Sequence, residues 1–398
     1  MANTILTPTA VTREALRILH QKLTFIGAIN RQYDSSFAKE GAKIGSALKI
    51  RLPNQYTVTS GATLSAQDTT EDSVQLNVTT QKHVGMKFTS QDLTLSLQDF
   101  SDRIIEPAIS VLAASVEADA YSMYKDVYNM IDSDGNAIDT YDILDGRRVL
   151  NETLTPMDNN RTAILSSLHM AKLVNDSRAL FNDGKEISKQ YREGKVGRMA
   201  GFDFYETTHA TKHTTGTAVS GDTLYNVNGA TESGATITVN TGATTFLIGD
   251  VITIAGCNAV HPETKADLGY LQRFVITANS GANATSLAIS PAIVVTGAKQ
   301  NVTGYPTNGG AISKLGGGAS ATLDTSMLYH KDAFTFATAD LVMPKGVDFG
   351  AREVMDGLSM RILRDYDINN DQLPCRVDIL YGYKTLRPQL ACRIHADG

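Results

Sequence analysis

Tryptophan is absent from the 398 residues, and cysteine occurs only three times. Without an indole the chain lacks the flat ring on which sugar clefts often stack their ligand, which weighs against a carbohydrate-active enzyme. The three cysteines, Cys257, Cys375 and Cys392, are odd in number, far apart and without a Cys-x-x-Cys pair. This excludes a disulfide framework and reads as free thiols in a reducing compartment. Positive charge is not in surplus: the formal net charge is −6. A broad basic surface that coats nucleic acid is therefore excluded, because phosphate neutralisation needs clustered Lys and Arg. Nowhere do about eighteen apolar residues run consecutively. Met1 to His20 also lacks the basic start and unbroken apolar stretch of a secretory signal. The expectation is a soluble protein made where it folds, with no membrane partner.

What remains is globular in character, with 42% hydrophobic and 20% charged residues, and global disorder is not expected. The length suits two or three compact units, or one domain carrying elaborations. Val11, Ala15, Leu16, Ile18, Leu19 and Leu23 recur at helical spacing between Arg13, Glu14, Arg17 and Lys22. This predicts a short amphipathic helix over Thr9 to Leu23. Thr24 to Gly45 is glycine-punctuated, with Tyr33 and Phe37 as anchors, and reads as an arm.

Leu48 to Thr59 and Val74 to Phe88 are β-prone, and Val74, Leu76 and Val78 alternate with Gln75, Asn77 and Thr79. Two long antiparallel strands are expected. Between them Ser60 to Ser73 is small and polar apart from one Leu, as suits a mobile tip. A strand of about fourteen residues extends on the order of 45 Å. A bare two-stranded ribbon is poorly stable in water, so ribbon and arm should need a neighbouring surface, from this chain or another copy.

Pro107 suits the first turn of a helix, with Asp102 and Glu106 supplying negative charge near that end. Ile105, Ile109, Leu112, Val116, Ala120, Met123 and Val127 then line one face through about six turns. Asp132, Gly135 and Asn136 form a turn cluster. Asn151 to Phe204 reads as mixed α/β, with an apolar stretch Ala163 to Leu165, a helix around Leu168 to Leu180 and a charged loop Gly184 to Gly197. From about Thr214 to Ala321 charged residues fall to roughly 8%, against about 24% elsewhere, which marks a different unit. Its runs Ala235 to Val239, Asp250 to Ile254, Leu271 to Thr277, Ser286 to Ile289 and Ala292 to Val295 are separated by turn residues at barrel-like spacing. Gly316, Gly317 and Gly318 read as a flexible exit. The earlier composition then returns, with strands around Phe334 to Ala337, Met360 to Ile368, Arg376 to Leu380 and Gln389 to Ile394. One fold interrupted by another is the simplest account.

Chemical motifs are weak. His209 and His213 are four apart, but the residues between them do not read as helix and no third ligand is near, so a metal role is not expected. Asp132-Ser133-Asp134-Gly135-Asn136 has its glycine at the fourth place where a calcium loop needs it at the sixth, and no Glu closes it at the twelfth. It reads as an acidic turn. There is no G-x-S-x-G elbow, Walker A loop or G-x-G-x-x-G after a strand. Lys185, Lys189, Arg192, Lys195 and Arg198 form a cationic run. Such runs are usually solvated faces, and contact with a partner subunit or nucleic acid is the alternative. Cys257 and Cys375 lie in apolar, β-prone surroundings and read as small core residues.

Three stretches carry a resemblance. Gly194-Lys195-Val196-Gly197-Arg198-Met199-Ala200-Gly201-Phe202-Asp203 resembles a G-x-[basic]-x-x-A-G-F-D segment. Gly249-Asp250-Val251-Ile252-Thr253-Ile254-Ala255-Gly256 resembles a G-D-x-[apolar]-x-[apolar]-A-G barrel start. Cys375-Arg376 through Tyr381-Gly382 to Arg387-Pro388 resembles a C-R…Y-G…R-P ending. Together with the order of elements they make the chain similar to the major coat proteins of tailed double-stranded-DNA bacteriophages. The likeness is to the HK97-like capsid fold in its short-tailed-phage form with an inserted domain, and it spans nearly the whole chain.

The resemblance implies an α+β fold. Residues 1–45 would be the N-terminal arm and 46–90 the extended β-hairpin loop. A peripheral domain with the spine helix would be formed by 91–135 and 356–398, and an axial α/β domain by 136–213 and 321–355. Residues 214–320 would be the inserted β-barrel. It further implies a structural protein and not an enzyme, with no cofactor, catalytic residue or metal. Its partners would be copies of itself as hexamers and pentamers, a scaffolding protein, a portal at one vertex and enclosed double-stranded DNA. It would be located in the virion capsid, assembled in the host cytoplasm. Candidate subunit contacts are Tyr56, Val58, Leu64, Asp68, Glu71 and Asp72 on the loop, with Lys185, Lys189, Arg192, Lys195 and Arg198. The rival readings are another repeated phage part, such as a tail-tube or decoration protein, and a hydrolase with an accessory β domain.

Overall fold

The structure is a computed structural model that describes residues 8–33, 47–62, 64, 66–67, 69, 71–89, 106–133, 136–177, 197–219, 225–240, 242–347, 349–355 and 357–396. The chain divides into two compact units. The first comprises Met1–Arg51, Ser73–Tyr121 and Phe334–Leu386, and the second Leu52–Asp72, Ser122–Ala333 and Arg387–Gly398.

The first unit is built on a six-stranded sheet in the order Asn30–Tyr33, Phe334–Ala339, Gln372–Thr385, Leu358–Arg364, Phe349–Met355, with Thr80–Thr89 also paired to Gln372–Thr385. All its pairings are antiparallel except that of Asn30–Tyr33. The expected N-terminal helix forms over Pro8–Lys22. Its apolar stripe of Val11, Ala15, Leu16, Ile18 and Leu19 is buried, packed on Phe349–Met355, Leu358–Arg364 and a helix over Glu106–Tyr121. Fully burying one such side chain contributes about 1.5–3 kcal/mol. The helix therefore belongs to the core of its own unit, and the surface that covers it comes from this chain.

The helix expected from Pro107 runs Glu106–Tyr121 and then tightens into a 3-10 turn over Ser122–Asp126. It is shorter than the apolar spacing suggested. Ser122 and Tyr124 are weak helix formers, and Met123 and Val127 are buried without the helix continuing. Within it Glu117 is fully buried. Its carboxylate accepts the backbone N–H groups of Thr24 (3.0 Å), Phe25 and Ile26 (3.3 Å), at the start of the short helix Phe25–Ala28. A carboxylate suits that position because the leading N–H groups of a helix have no partner of their own. Phe25 packs edge-on to Tyr121 and Phe334, each at 5.5 Å between ring centroids.

Burial pushes the Glu117 carboxyl up to about 7, against the opposing pull of the three N–H donors. The folded unit thus binds this proton more tightly than the unfolded chain. The resulting stabilisation is full below the ordinary carboxyl value of 4.5 and is lost as pH rises through 7. The expected result is that the urea midpoint of the first unit rises as pH falls from 7.5 to 5. Glu117→Gln should flatten that slope, measured by tryptophan-independent circular dichroism.

The ribbon differs from expectation. Only Ala47–Arg51 and Ser73–Asn77 pair, from Ala47 opposite Asn77 to Arg51 opposite Ser73. The chain leaves the ribbon at Val78–Thr79, and Thr80–Thr89 joins the main sheet, Gln81 opposite Leu380. Leu76 and Val78 are buried in a cluster with Ala337 and Ala339, with Leu48, Ile50 and Leu380 packed against it. The root of the ribbon is thereby satisfied within its own unit.

The second unit holds a sheet in the order Met130–Asp132, Ala391–Ala396, Thr322–His330, Arg161–Ser166, Phe202–Thr207, Arg198–Met199, with His213–Thr214 paired to Thr322–His330. Helices Thr140–Glu152 and Ser167–Ser177 bring Ile143, Val149, Leu150, Met170 and Leu173 into one core with Ala163, Leu165, Phe202, Leu328 and Ile394. The apolar stretch Ala163 to Leu165 lies in the buried strand Arg161–Ser166. The helix expected around Leu168 to Leu180 is described through Ser177.

The expected barrel is present. Six strands follow the order Tyr225–Asn226, Ala311–Leu315, Val251–Val260, Asp267–Ile276, Ser286–Ile293, Gly234–Thr238. A bridge from Val227 to Val239, with Asn228 N–H to Thr238 carbonyl and Asn240 N–H to Asn226 carbonyl (2.9 and 2.8 Å), joins the first strand to the last. Closure removes free edges. The interior is filled by Tyr225, Ile237, Phe246, Ile252, Phe274, Leu287 and their neighbours. The runs Ser286 to Ile289 and Ala292 to Val295 are parts of one strand, Ser286–Ile293. The triple glycine is a shaped turn rather than a loose exit. Gly316 and Gly317 take φ of +77° and +71°, which side chains resist. The Gly316 N–H donates to Asp132 Oδ2 (2.9 Å), and the Gly318 carbonyl accepts Thr215 Oγ1 and Lys314 Nζ, both at 3.1 Å.

Candidate assembly surface

Beyond the ribbon root the chain enters Leu52–Asp72, whose described residues form no strand. Pro53 has no N–H to give to a ladder, and the small residues after it offer little to pack. A side chain holds the segment together instead. Gln67 Oε1 accepts from Thr57 N and Thr57 Oγ1 (3.0 and 3.1 Å), and Gln67 Nε2 donates to the Thr57 carbonyl. Tyr56 Oη lies 3.5 Å from Thr69 Oγ1, and Leu52 N–H donates to the Asp72 carbonyl (2.8 Å).

The result is a hairpin-like loop whose apolar side chains face outward: Val58 is 98% exposed, Leu64 90% and Tyr56 58%. Scattered exposed apolar residues are ordinary. Three on one loop held by polar clamps are apolar surface that the described residues leave open to a partner. Asp72 pairs with Lys299 of the barrel, and a groove of about 700 Å³ lined by Tyr56, Asp72, Tyr270, Arg273 and Lys299 borders the loop. Glu71 is exposed. Sequence reasoning did not single out Gln67 or Lys299, and an isolated Gln or Lys in a polar run carries no signal of its role.

Asp68, Lys185, Lys189, Arg192 and Lys195 lie outside the described residues. Arg198 is described and stands apart from the loop residues, on the edge strand Arg198–Met199. There it donates to Asn159 Oδ1 (2.8 Å) and approaches Asp203 (3.7 Å).

The other motifs resolve into structural contacts. His213 uses Nδ1 toward Tyr124 Oη (3.2 Å) and Nε2 toward Asp250 (3.0 Å), so neither nitrogen is left for a metal beside His209. Among the described residues no group of three or more His, Cys, Asp or Glu is placed to hold an ion. In the acidic turn, Ser133 donates to Asp142 (2.9 Å) and Asn136 N–H to the Ser133 carbonyl (2.9 Å), while Asp134 and Gly135 are outside the described residues. Cys257, Cys375 and Cys392 are free and buried. Burial pushes their thiols up to about 12, 11 and 12, which leaves them protonated and unreactive near neutrality. Among the described residues no helix is long and apolar enough to cross a membrane.

The family model described as "P22 coat protein - gene protein 5" matches residues 21–393. Among solved structures the chain is similar to one from Mycobacterium phage Che8, at 11% identity and a TM-score of 0.47, covering 94% of this chain and 90% of that one. It is also similar to the asymmetric unit of the bacteriophage PhiM1 mature capsid (11%, TM-score 0.47, 94% and 87%). A third likeness is to a virus-like particle from Pyrococcus furiosus (7%, TM-score 0.44, 96% and 97%). No curated protein matches the sequence significantly.

Proposed function

Because the chain belongs to the P22 coat protein family, and is thus a phage major capsid protein that forms the shell, we propose that its copies join as hexamers and pentamers through the loop Leu52–Asp72. The carrying observation is a family match over nearly the whole length, joined to a loop that exposes Val58, Leu64 and Tyr56 while its root is buried. In this reading the loop lies on an adjacent copy. The first unit supplies the peripheral wall. The second unit, with the helices Thr140–Glu152 and Ser167–Ser177, meets its copies around capsomer centres. A scaffolding protein templates the precursor shell, a portal occupies one vertex, and assembly takes place in the host cytoplasm. The net charge of −6 suits a container that confines double-stranded DNA without binding it tightly.

Each copy contributes several contacts, and an obligate interface commonly buries about 2,000 Å² or more. The wall is held by their sum, without covalent links. Sedimentation of the purified chain with its scaffolding protein, followed by electron microscopy of the fast species, tests this. Closed particles are expected. Open tubes, or a chain that stays monomeric at high concentration, would overturn it.

A further inference from the structure

Within the second unit a buried polar cluster joins the barrel to the sheet that carries the last strand. Arg393 and His395 come from Ala391–Ala396, Asp132 from Met130–Asp132 and Tyr124 from the 3-10 turn Ser122–Asp126. From the barrel side come Asp250, next to the strand Val251–Val260, and Lys314 of Ala311–Leu315. His213 sits where the chain approaches the barrel. His213, Asp250, Lys314, Arg393 and His395 are each at most 2% exposed.

Their contacts cross from one element to the other. His213 bridges Tyr124 and Asp250 (3.2 and 3.0 Å). The second Asp250 oxygen accepts the N–H groups of Gly216 (2.9 Å) and Leu247 (2.8 Å). Arg393 donates to the Gly249 carbonyl, and the His213 and His395 rings lie 5.5 Å apart. Neither ring nitrogen of His395, nor Nε and Nη1 of Arg393, has a hydrogen-bond partner among the described residues.

With neutral histidines, two fixed cations (Arg393, Lys314) face two carboxylates (Asp250, Asp132). One proton on either imidazole leaves this buried cluster with a net positive charge, and at His395 no carboxylate is hydrogen-bonded to the ring to offset it. His395 faces Arg393, Lys314, His213 and His169. His213 faces Arg393 and Lys125, with Asp250 as its only opposing charge. Helix Ser167–Ser177 contributes His169, which is held by Ser326 (2.7 Å).

We propose that this cluster is an acid-sensitive joint: neutral His213 and His395 lock the inserted barrel to the sheet of the second unit, and their protonation unlocks it. Burial holds both histidines below their ordinary range, His395 well below. The locked form is therefore fully stable above the unfolded histidine value of 6.5, and that stability is lost as pH falls through the depressed folded values. This is the opposite sense to Glu117 in the first unit.

The test is amide exchange on the full-length chain between pH 7.5 and 5, corrected for intrinsic rates. Opening of Val251–Val260 and Ala391–Ala396 is expected to stay level down to the unfolded histidine value of 6.5 and below it to rise by about tenfold per pH unit for each proton taken up, while Thr24 to Ile26 stays protected. His395→Phe, which fills similar space and cannot titrate, should lower that slope by about one proton. His213→Gln provides the same reading should the first variant fail to fold. An exchange pattern of these strands that is flat across the range in the native chain overturns the proposal. So does a native-like slope in a folded His395 or His213 variant.

Discussion

Replacing Val58 and Leu64 together by Asp is expected to give a chain that folds normally and does not close shells. The two side chains are almost wholly exposed and belong to no core cluster, so unfolding by heat or urea should stay within about 0.5 kcal/mol of the native chain, as for other surface changes. In an assembled wall the same side chains would be covered. Burying a Val or Leu contributes about 1.5–3 kcal/mol, so losing both removes roughly 3–6 kcal/mol per loop contact. At about 1.4 kcal/mol per tenfold, that is on the order of a hundredfold or more in the association constant. Every copy makes the contact, so the loss recurs around the whole shell. Sedimentation should show subunits or small oligomers in place of fast particles. Normal particles at the native assembly concentration would show that the loop is not a contact. These substitutions report more cleanly than deleting Ser60 to Ser73, because that deletion also removes the Gln67 clamp, the Asp72 to Lys299 pair and the first residue of a ribbon strand.

That loop is legible in outline in the sequence, and its limits are not. The alternation of Val74, Leu76 and Val78 announces a strand, and a strand is there. Alternation says nothing about which partner a strand chooses, however. The ribbon therefore looked continuous to Phe88, where the chain in fact changes partners at Val78–Thr79. The barrel was readable because low charge and regular turn spacing are local properties. The helix Thr140–Glu152 is not among the elements expected from the sequence, although Asp139 and Asp142 form a capping box at its start, with Asp142 N–H to Asp139 Oδ1 at 2.9 Å and Asp139 N–H to Asp142 Oδ2 at 3.1 Å. Ile143, Val149 and Leu150 also recur at helical spacing behind it. The latch of Glu117 on Phe25 and the bridge of His213 to Asp250 join residues 92 and 37 positions apart. No single-sequence pattern carries such pairs, because what makes them is the fold that brings them together.

A methyl group at Gly382 should do what the loop substitutions do not, and damage the subunit itself. A Cβ there would lie 2.1 Å from the Asn77 carbonyl oxygen, 2.8 Å from its carbon and 3.0 Å from Val78 Cα. All three are backbone atoms, so no rotamer change relieves the clash, and the root of the ribbon must lift from the strand Gln372–Thr385. Lifting exposes Leu76 and Val78, which are 0% and 6% accessible. Overpacking of this kind costs about 1–3 kcal/mol. For a unit of this size each kcal/mol lowers Tm by roughly 2–4 °C, so Gly382→Ala is expected to melt several degrees lower and to lose amide protection at Ile50 and Leu76. Gly85→Ala is the control. Gly85 sits opposite Arg376 on the adjoining strand with nothing within 4 Å of its would-be Cβ, and should change little beyond a glycine's backbone effect. If Gly382→Ala keeps native protection in Ala47–Arg51 and Ser73–Asn77, the ribbon is not seated on the sheet as described. Its loop would then have no fixed base from which to reach a neighbour.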